Sequence, residues 1–285
     1  MRAARALRVP TRALLCVVVG IVSLSAAVVA VDDGGGRRHE RAGRWQPLVI
    51  RYSGPNRTLA TEHRNVDRHL EVTSGSLLVR DGDATPGAPD AAAPDPEAGT
   101  THSAVFRART RRTDFADAKV SLRLRNDGLR EVDGREPHDY DGVSLGVRYH
   151  SPGELYYVNL QRRDGAVTIK KKVPSNGGTY ETLAVGARPV PYGRWVMVDV
   201  TVQDVGEGVK LAVRFDGEAV LSALDEGGRE RSALTAPGRV LLRGDNCQFA
   251  FNDLTVTSLG ATSRRPSRSG SQPFQALLAG RQAAP

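Results

Sequence analysis

Three carboxylates stand at Glu131, Asp133 and Glu136, spaced E-x-D-x-x-E. Two carboxyl groups held about 5 Å apart are what retaining hydrolysis of a glycosidic bond requires. The surroundings point elsewhere. The run lies between Asn126-Asp127-Gly128 and Pro137-His138-Asp139, and Gly134 and Arg135 stand where a strand would want apolar residues. A long polar connection is therefore expected here, and catalysis by Glu131, Asp133 and Glu136 is the lesser expectation. Asp139, Asp141 and Asp253, with Asp127, offer oxygens of the kind that ligate calcium. They lack EF-hand spacing, and loop aspartates more often close turns, so structural calcium is the lesser expectation and no cofactor is required.

A third group is basic and aromatic. Arg123 and Arg125, then Arg148, then Tyr157, Asn159 and Gln161, then Lys170 and Lys172, fall on the polar side of successive alternating runs. Arg107, Arg109 and Arg111 do the same on the run from Ala104 to Arg111. If these runs share one sheet, they build a broad basic surface with Tyr157 beside it. Such a surface attracts polyanions, and arginine forks match carboxylate and phosphate oxygens. The implied partner is an acidic polymer, such as a uronic-acid polysaccharide or a wall teichoic acid. Only Lys119, Lys170, Lys171, Lys172 and Lys210 among the 40 basic residues are lysines. That bias suggests a high-GC bacterial genome and makes some of the arginine drift. Trp45 and Trp195 are further aromatic candidates, Trp195 standing in the apolar register just before Val196; the family resemblance given below implies that Trp195 is a core residue.

The elements that must position these side chains alternate with period two. Val120, Leu122 and Leu124 alternate with Ser121, Arg123 and Arg125; Val143, Leu145, Val147 and Tyr149 with Ser144, Gly146 and Arg148. Tyr156, Val158 and Leu160 alternate with Tyr157, Asn159 and Gln161, and Val196, Val198, Val200 and Val202 follow the same rule. Ser151-Pro152-Gly153, Arg163-Asp164-Gly165, Asn176-Gly177-Gly178 and Asp216-Gly217 separate the runs as turns. About a dozen strands, each apolar on one face, need a second sheet to cover them. The expected fold is all-β, a two-sheet antiparallel jelly-roll sandwich over residues 45–260.

Arg2, Arg5, Arg8 and Arg12 precede an uncharged run from Ala13 to Val31. That is the pattern of a signal peptide with cleavage after Ala30, or of an uncleaved anchor, since the run is long enough to span a bilayer. Both readings export the domain, and a membrane is expected as partner only through residues 13–31. Residues 31–44 read as a flexible spacer, 85–101 as a mobile Pro/Ala loop and 261–285 as a disordered tail. Half of the formal charge of +8 sits in the leader: after Ala30, 36 basic residues face 32 acidic ones, a mild excess of +4. With neither zinc-finger spacing nor an aromatic-basic RNA signature, nucleic acid is not an expected partner. Cys247 remains as one cysteine beyond the leader, so no disulfide can form within that part, and a small buried side chain is expected.

The order of motifs resembles concanavalin-A-like (laminin-G-like) domains. Leu70 to Leu77 looks like their opening strands, Phe115 to Leu122 like their "F-x-D-F-x-L" strand, and Gly142 to Tyr149 with Tyr156 to Leu160 like the pair that follows. Gly193-Arg194-Trp195 to Thr201, Phe215-Asp216-Gly217-Glu218, and Gly238 to Leu242 with Phe251 to Val256 resemble the later strands. The resemblance covers about 190 residues and implies the fold; these residues build core and turns and carry no chemistry across. The superfamily includes lectin-like modules, 3-keto-disaccharide hydrolase domains and family-16 glycosidases. In the last group the first Glu of E-x-D-x-x-E is the nucleophile and the last the acid/base. The leading expectation is an extracellular, non-catalytic glycan-binding or wall-associated module. A sugar-cleaving enzyme and a protein-interaction domain are the alternatives.

Overall fold

The computed structural model describes residues 45–61, 67–87, 105–130, 136–228 and 232–259. Glu131 and Asp133 lie outside the described residues, as do the leader, the spacer to residue 44, positions 88–101 of the expected loop and the tail.

Strands are numbered in chain order. The first sheet takes β1 (Leu48–Ile50), β2 (Arg57–Ala60), β4 (Leu77–Arg80), β5 (Asp83–Pro86) and β7 (Ala118–Leu129). It also takes β12 (Val196–Val205), β13 (Gly208–Phe215), β14 (Glu218–Asp225) and β16 (Cys247–Ser258). The second takes β3 (Leu70–Ser74), β6 (Val105–Thr110), β8 (Gly142–Ser151), β9 (Glu154–Arg162), β10 (Ala166–Lys172), β11 (Glu181–Ala187) and β15 (Arg239–Asp245). The spatial orders are β14-β13-β12-β7-β16-β5-β4-β2, with β1 on β16, and β11-β10-β9-β8-β15-β6-β3. Every pairing is antiparallel. The chain is the two-sheet sandwich that its alternation implies. The Pro/Ala segment begins later than its composition suggests, because Thr85 and Pro86 close β5 and the Thr85 hydroxyl donates to the Phe249 carbonyl.

Alternation decides which side chains meet between the sheets. Val196, Val198, Val200 and Val202 of β12 oppose Leu124, Leu122, Val120 and Ala118 of β7, and all eight are buried. Each large aliphatic side chain taken from water contributes about 1.5 kcal/mol or more, and β-branched valine fits the pleat. Phe249 and Phe251 of β16 and Phe106 of β6 fill the same interior, Phe106 edge-on to Phe249. Cys247 is buried with them, as expected of an unpaired small side chain.

Ionic ties also cross the interior. Lys171 of β10 and the Tyr156 hydroxyl of β9 share the Asp225 carboxylate at the end of β14. Arg148 departs from the expected surface. It has φ +49 at a register shift of β8, and its guanidinium is fully buried between the sheets. There Nη1 donates to Asp204 and to the Leu234 carbonyl, both at 2.6 Å, and Nη2 to Asp117 at 3.0 Å. The bulge carries Arg148 inward and puts Tyr149 on the outer face. Gly238 lies against this bend: a Cβ there would come within 2.6 Å of the Arg148 carbonyl carbon.

Candidate functional site

The sites expected from the sequence divide between the two sheets. Arg123 and Arg125 lie on β7, on the outer face of the first sheet, because their neighbours Leu122 and Leu124 are in the core. Lys170, Lys172, Tyr157 and Asn159 lie together on the outer face of the second, since Ile169, Tyr156, Val158 and Leu160 take the inner positions. One surface spanning all of them does not exist. Two residues leave it altogether: Arg148 points inward, and Gln161, just past a register shift, sits opposite the core residue Val143 and is buried. Both polar atoms of the Gln161 amide are without a hydrogen-bond partner among the described residues. The bulge breaks the strict alternation that assigned it to the polar face.

The outer face of the second sheet is organised in two rungs. One runs Lys170, Tyr157, Gly146, Leu241, Arg109 and Glu71 across β10, β9, β8, β15, β6 and β3. The other runs Thr168, Asn159, Ser144, Arg243, Arg107 and Ser74 across the same strands. Gly146 leaves the middle of the first rung low: a Cβ would stand 3.0 Å from Leu241 Cβ and 3.1 Å from Leu155 Cδ1. Around it Tyr149, Leu155, Tyr157 and Leu241 form a small apolar cluster separate from the main core.

The floor of this face is buried and tied down. The Asn159 amide donates to the Ser144 hydroxyl at 2.8 Å and its carbonyl accepts from Thr168. The Tyr157 hydroxyl donates to Asp245 at 3.4 Å, and Asp245 also holds Arg243 at 2.7 Å. Burial, with the Asp245 carboxylate next in weight, pushes the Tyr157 phenol well above the ordinary tyrosine range. It stays a neutral donor. The rim is accessible. Tyr180, 42 % exposed, packs on Tyr157 with ring centres 5.4 Å apart. The Lys172 and Lys170 ammonium groups lie 4.3 and 5.4 Å from the centre of the Tyr180 ring. Burial lowers the Lys170 pKa, and the nearby Arg162 guanidinium lowers it further.

Tyr180 and Arg243 escape the sequence reading. Tyr180 precedes an edge strand in a run without clear alternation, and Arg243 is assigned to this face only by the pairing of β15 with β6 and β8. Carboxylates absent from the polar faces in the sequence reading also arrive through pairing, Glu71 on Arg109 at 2.9 Å and Asp245 on Arg243. Lys170, Lys172, Arg107, Arg109 and Arg243 together outnumber these two carboxylates.

Trp195 is not in the core; it is half-buried on the outer face of the first sheet, with the Arg123 and Arg125 guanidinium carbons 4.5 and 4.8 Å from its ring centre. Its position ahead of Val196 puts it out of phase with the buried valines. Trp45 packs edge-on against Phe115 at 5.1 Å. Glu136 is exposed. Asp141 is buried and closes a turn, accepting from the His138 N–H at 2.8 Å and the Asn246 amide at 3.0 Å. Asp139 is exposed, and Asp253 belongs to the other sheet, paired to Arg51 at 2.6 Å. Asp127 is paired with Arg125 at 2.6 Å. The four therefore do not form one calcium site, and no group of His, Cys, Asp and Glu suited to a metal occurs among the described residues.

No protein-family model matches the sequence, and no curated protein matches it. Among solved structures the chain is similar to carbohydrate binding module CBM66 from Bacillus subtilis, at 11% identity over 67% of this chain and 98% of that one, with a TM-score of 0.44. It is similar to a Bacillus subtilis protein of unknown function with a galectin-like fold, at 12% identity over 74% and 98%, with a TM-score of 0.48. A third is an endo-1,3-beta-glucanase from Streptomyces sioyaensis, at 11% identity over 78% and 100%, with a TM-score of 0.45.

Proposed function

We propose that the chain is an exported glycan-binding module whose ligand is an acidic, wall-associated polymer lying across the outer face of the second sheet. The observation that carries this reading is the pairing of β10, β9, β8, β15 and β6, which sets Lys170, Lys172 and Arg243 beside a tyrosine pair and puts Arg107 and Arg109 further across the same face. Carboxylates or phosphates of the polymer meet the Lys170 and Lys172 ammonium groups and the Arg109 edge. A sugar ring stacks on the exposed face of Tyr180. The buried Asn159, Ser144 and Thr168 network acts indirectly, by holding β8, β9 and β10 in register beneath the rim. Binding proceeds without bond cleavage. Export rests on the basic residues up to Arg12 and the uncharged run from Ala13 to Val31.

The test is affinity for a uronic-acid polymer and for a neutral glucan across a salt series, with the native chain and Lys170→Ala/Lys172→Ala. Preference for the uronate, weakening as salt shortens the Debye length below about 10 Å, is the expected result. Equal affinity for both polymers, or indifference to the double substitution, overturns the proposal.

A further inference from the structure

The outer face of the first sheet holds a groove that the reading above leaves unused. It crosses β7, β16, β5 and β4, neighbours in that order, and encloses about 710 Å³. This is within the range of small-ligand sites, about 300–1,000 Å³. Alternation makes it. Leu77, Val79, Ala84, Phe249 and Phe251 point into the core, leaving Leu78, Arg80, Asp83, Thr85, Gln248 and Ala250 outward. The short side chains of Thr85 and Ala250 form its floor between two longer walls. One wall is Leu78 and Arg80 of β4; the other is Arg125 of β7, clamped on Asp127 by two hydrogen bonds of 2.6 and 3.1 Å. Arg125 is itself fixed against the Trp195 ring. Asp83 is oriented by the Asn252 amide at 2.9 Å.

The charge here differs from that of the other face. Arg80, Arg125 and Arg130 are balanced by Asp81, Asp83 and Asp127. A balanced groove has no net field to attract a polyanion. Its forked guanidinium, carboxylate and amide groups instead match adjacent hydroxyls, each of which donates and accepts at once. Leu78, half-buried on the wall, offers apolar area to the C–H face of a ring. We propose that this groove is a second ligand site, specific for a short run of uncharged sugar units. It acts independently of the acidic-polymer face on the opposite sheet.

The experiment is calorimetric titration of the full chain with cello-, malto- and laminari-hexaose, at about 50 mM and about 500 mM salt, over which the Debye length falls severalfold. Native chain, Gln248→Ala, Arg80→Ala and Lys170→Ala/Lys172→Ala are compared, with thermal melts to establish folding. At least one hexaose is expected to bind with one-to-one stoichiometry and little salt dependence. Each groove substitution should weaken it about tenfold, a change of about 1.4 kcal/mol, while the lysine pair leaves it unchanged. Arg80 is exposed, so its substitution tests binding without endangering the fold. Absence of binding by all three hexaoses, or binding lost with the lysine pair and kept in both groove variants, overturns the proposal. Acidic-polymer affinity, measured separately, does not bear on this result.

Discussion

Replacing Arg148 by Met should destabilise the fold substantially while sparing ligand binding. The guanidinium is fully buried and answers two carboxylates, Asp117 and Asp204, and the Leu234 carbonyl. Removing one partner of a buried ion pair costs about 3–5 kcal/mol, because the remaining charge is stranded. Here the stranded groups keep some access to water, with side-chain exposures of 27% for Asp117 and 31% for Asp204. That reduces the electrostatic loss to about 2 kcal/mol, and the unanswered Leu234 carbonyl adds about 1 kcal/mol. A total near 3 kcal/mol lowers the melting temperature of a domain this size by about 6–12 °C. Urea unfolding is the assay, and a lower midpoint at unchanged slope is the expected signature. Affinity of the folded Arg148→Met protein for a uronate polymer should equal that of the native chain. A loss under about 1 kcal/mol, as for a surface pair, would refute the buried-network argument. Weakened binding at equal folded fraction would return Arg148 to the surface.

Three further outcomes are expected. Gly238→Ala should destabilise at least as much as Arg148→Met, because its Cβ would meet backbone atoms of the Arg148 bend at 2.6 and 2.7 Å; a melt within about 2 °C of native would count against this packing. Uronate binding should fall with rising pH earlier than an ordinary lysine titrates, since burial lowers the Lys170 pKa and only its protonated form attracts an anion; the flanking Arg162 and Asp164 form their own pair, and Lys172 shares the Tyr180 ring. Affinity flat up to the usual lysine range would argue against Lys170. Cys247 should resist alkylation in the folded protein and react on denaturation, because burial pushes its thiol well above the ordinary range; mass spectrometry at that residue reads the outcome, and rapid native labelling would contradict it.

The sandwich is legible in the sequence because alternation is local: Leu122 and Leu124 define their face without knowledge of any partner strand. The distinction between Lys171, which turns inward to Asp225, and Lys170 and Lys172, which turn outward, is visible in the same way. Two kinds of information are not local. Strand order decides that Arg123 and Arg125 sit on the opposite sheet from Lys170, and nothing in the spacing of their runs encodes that. Bulges reset the phase, so Arg148 and Gln161 lie in regular-looking alternation yet are buried. Trp195 fails for the opposite reason: the family resemblance implied the core, while its phase with Met197 and Asp199 places it outside. Of the candidate surface, Lys170, Lys172, Tyr157 and Asn159 could be read from period two alone; Tyr180, Arg243 and their carboxylate partners required the pairing.

Titration of the chain with a uronic-acid oligomer, followed through residue-resolved amide chemical shifts, tests the glycan-binding reading most directly. Shifts are expected on β9 and β10 and around Tyr180, saturating with the oligomer and collapsing as salt is raised. Saturable shifts confined to the first sheet, or none at all under low salt, would contradict it.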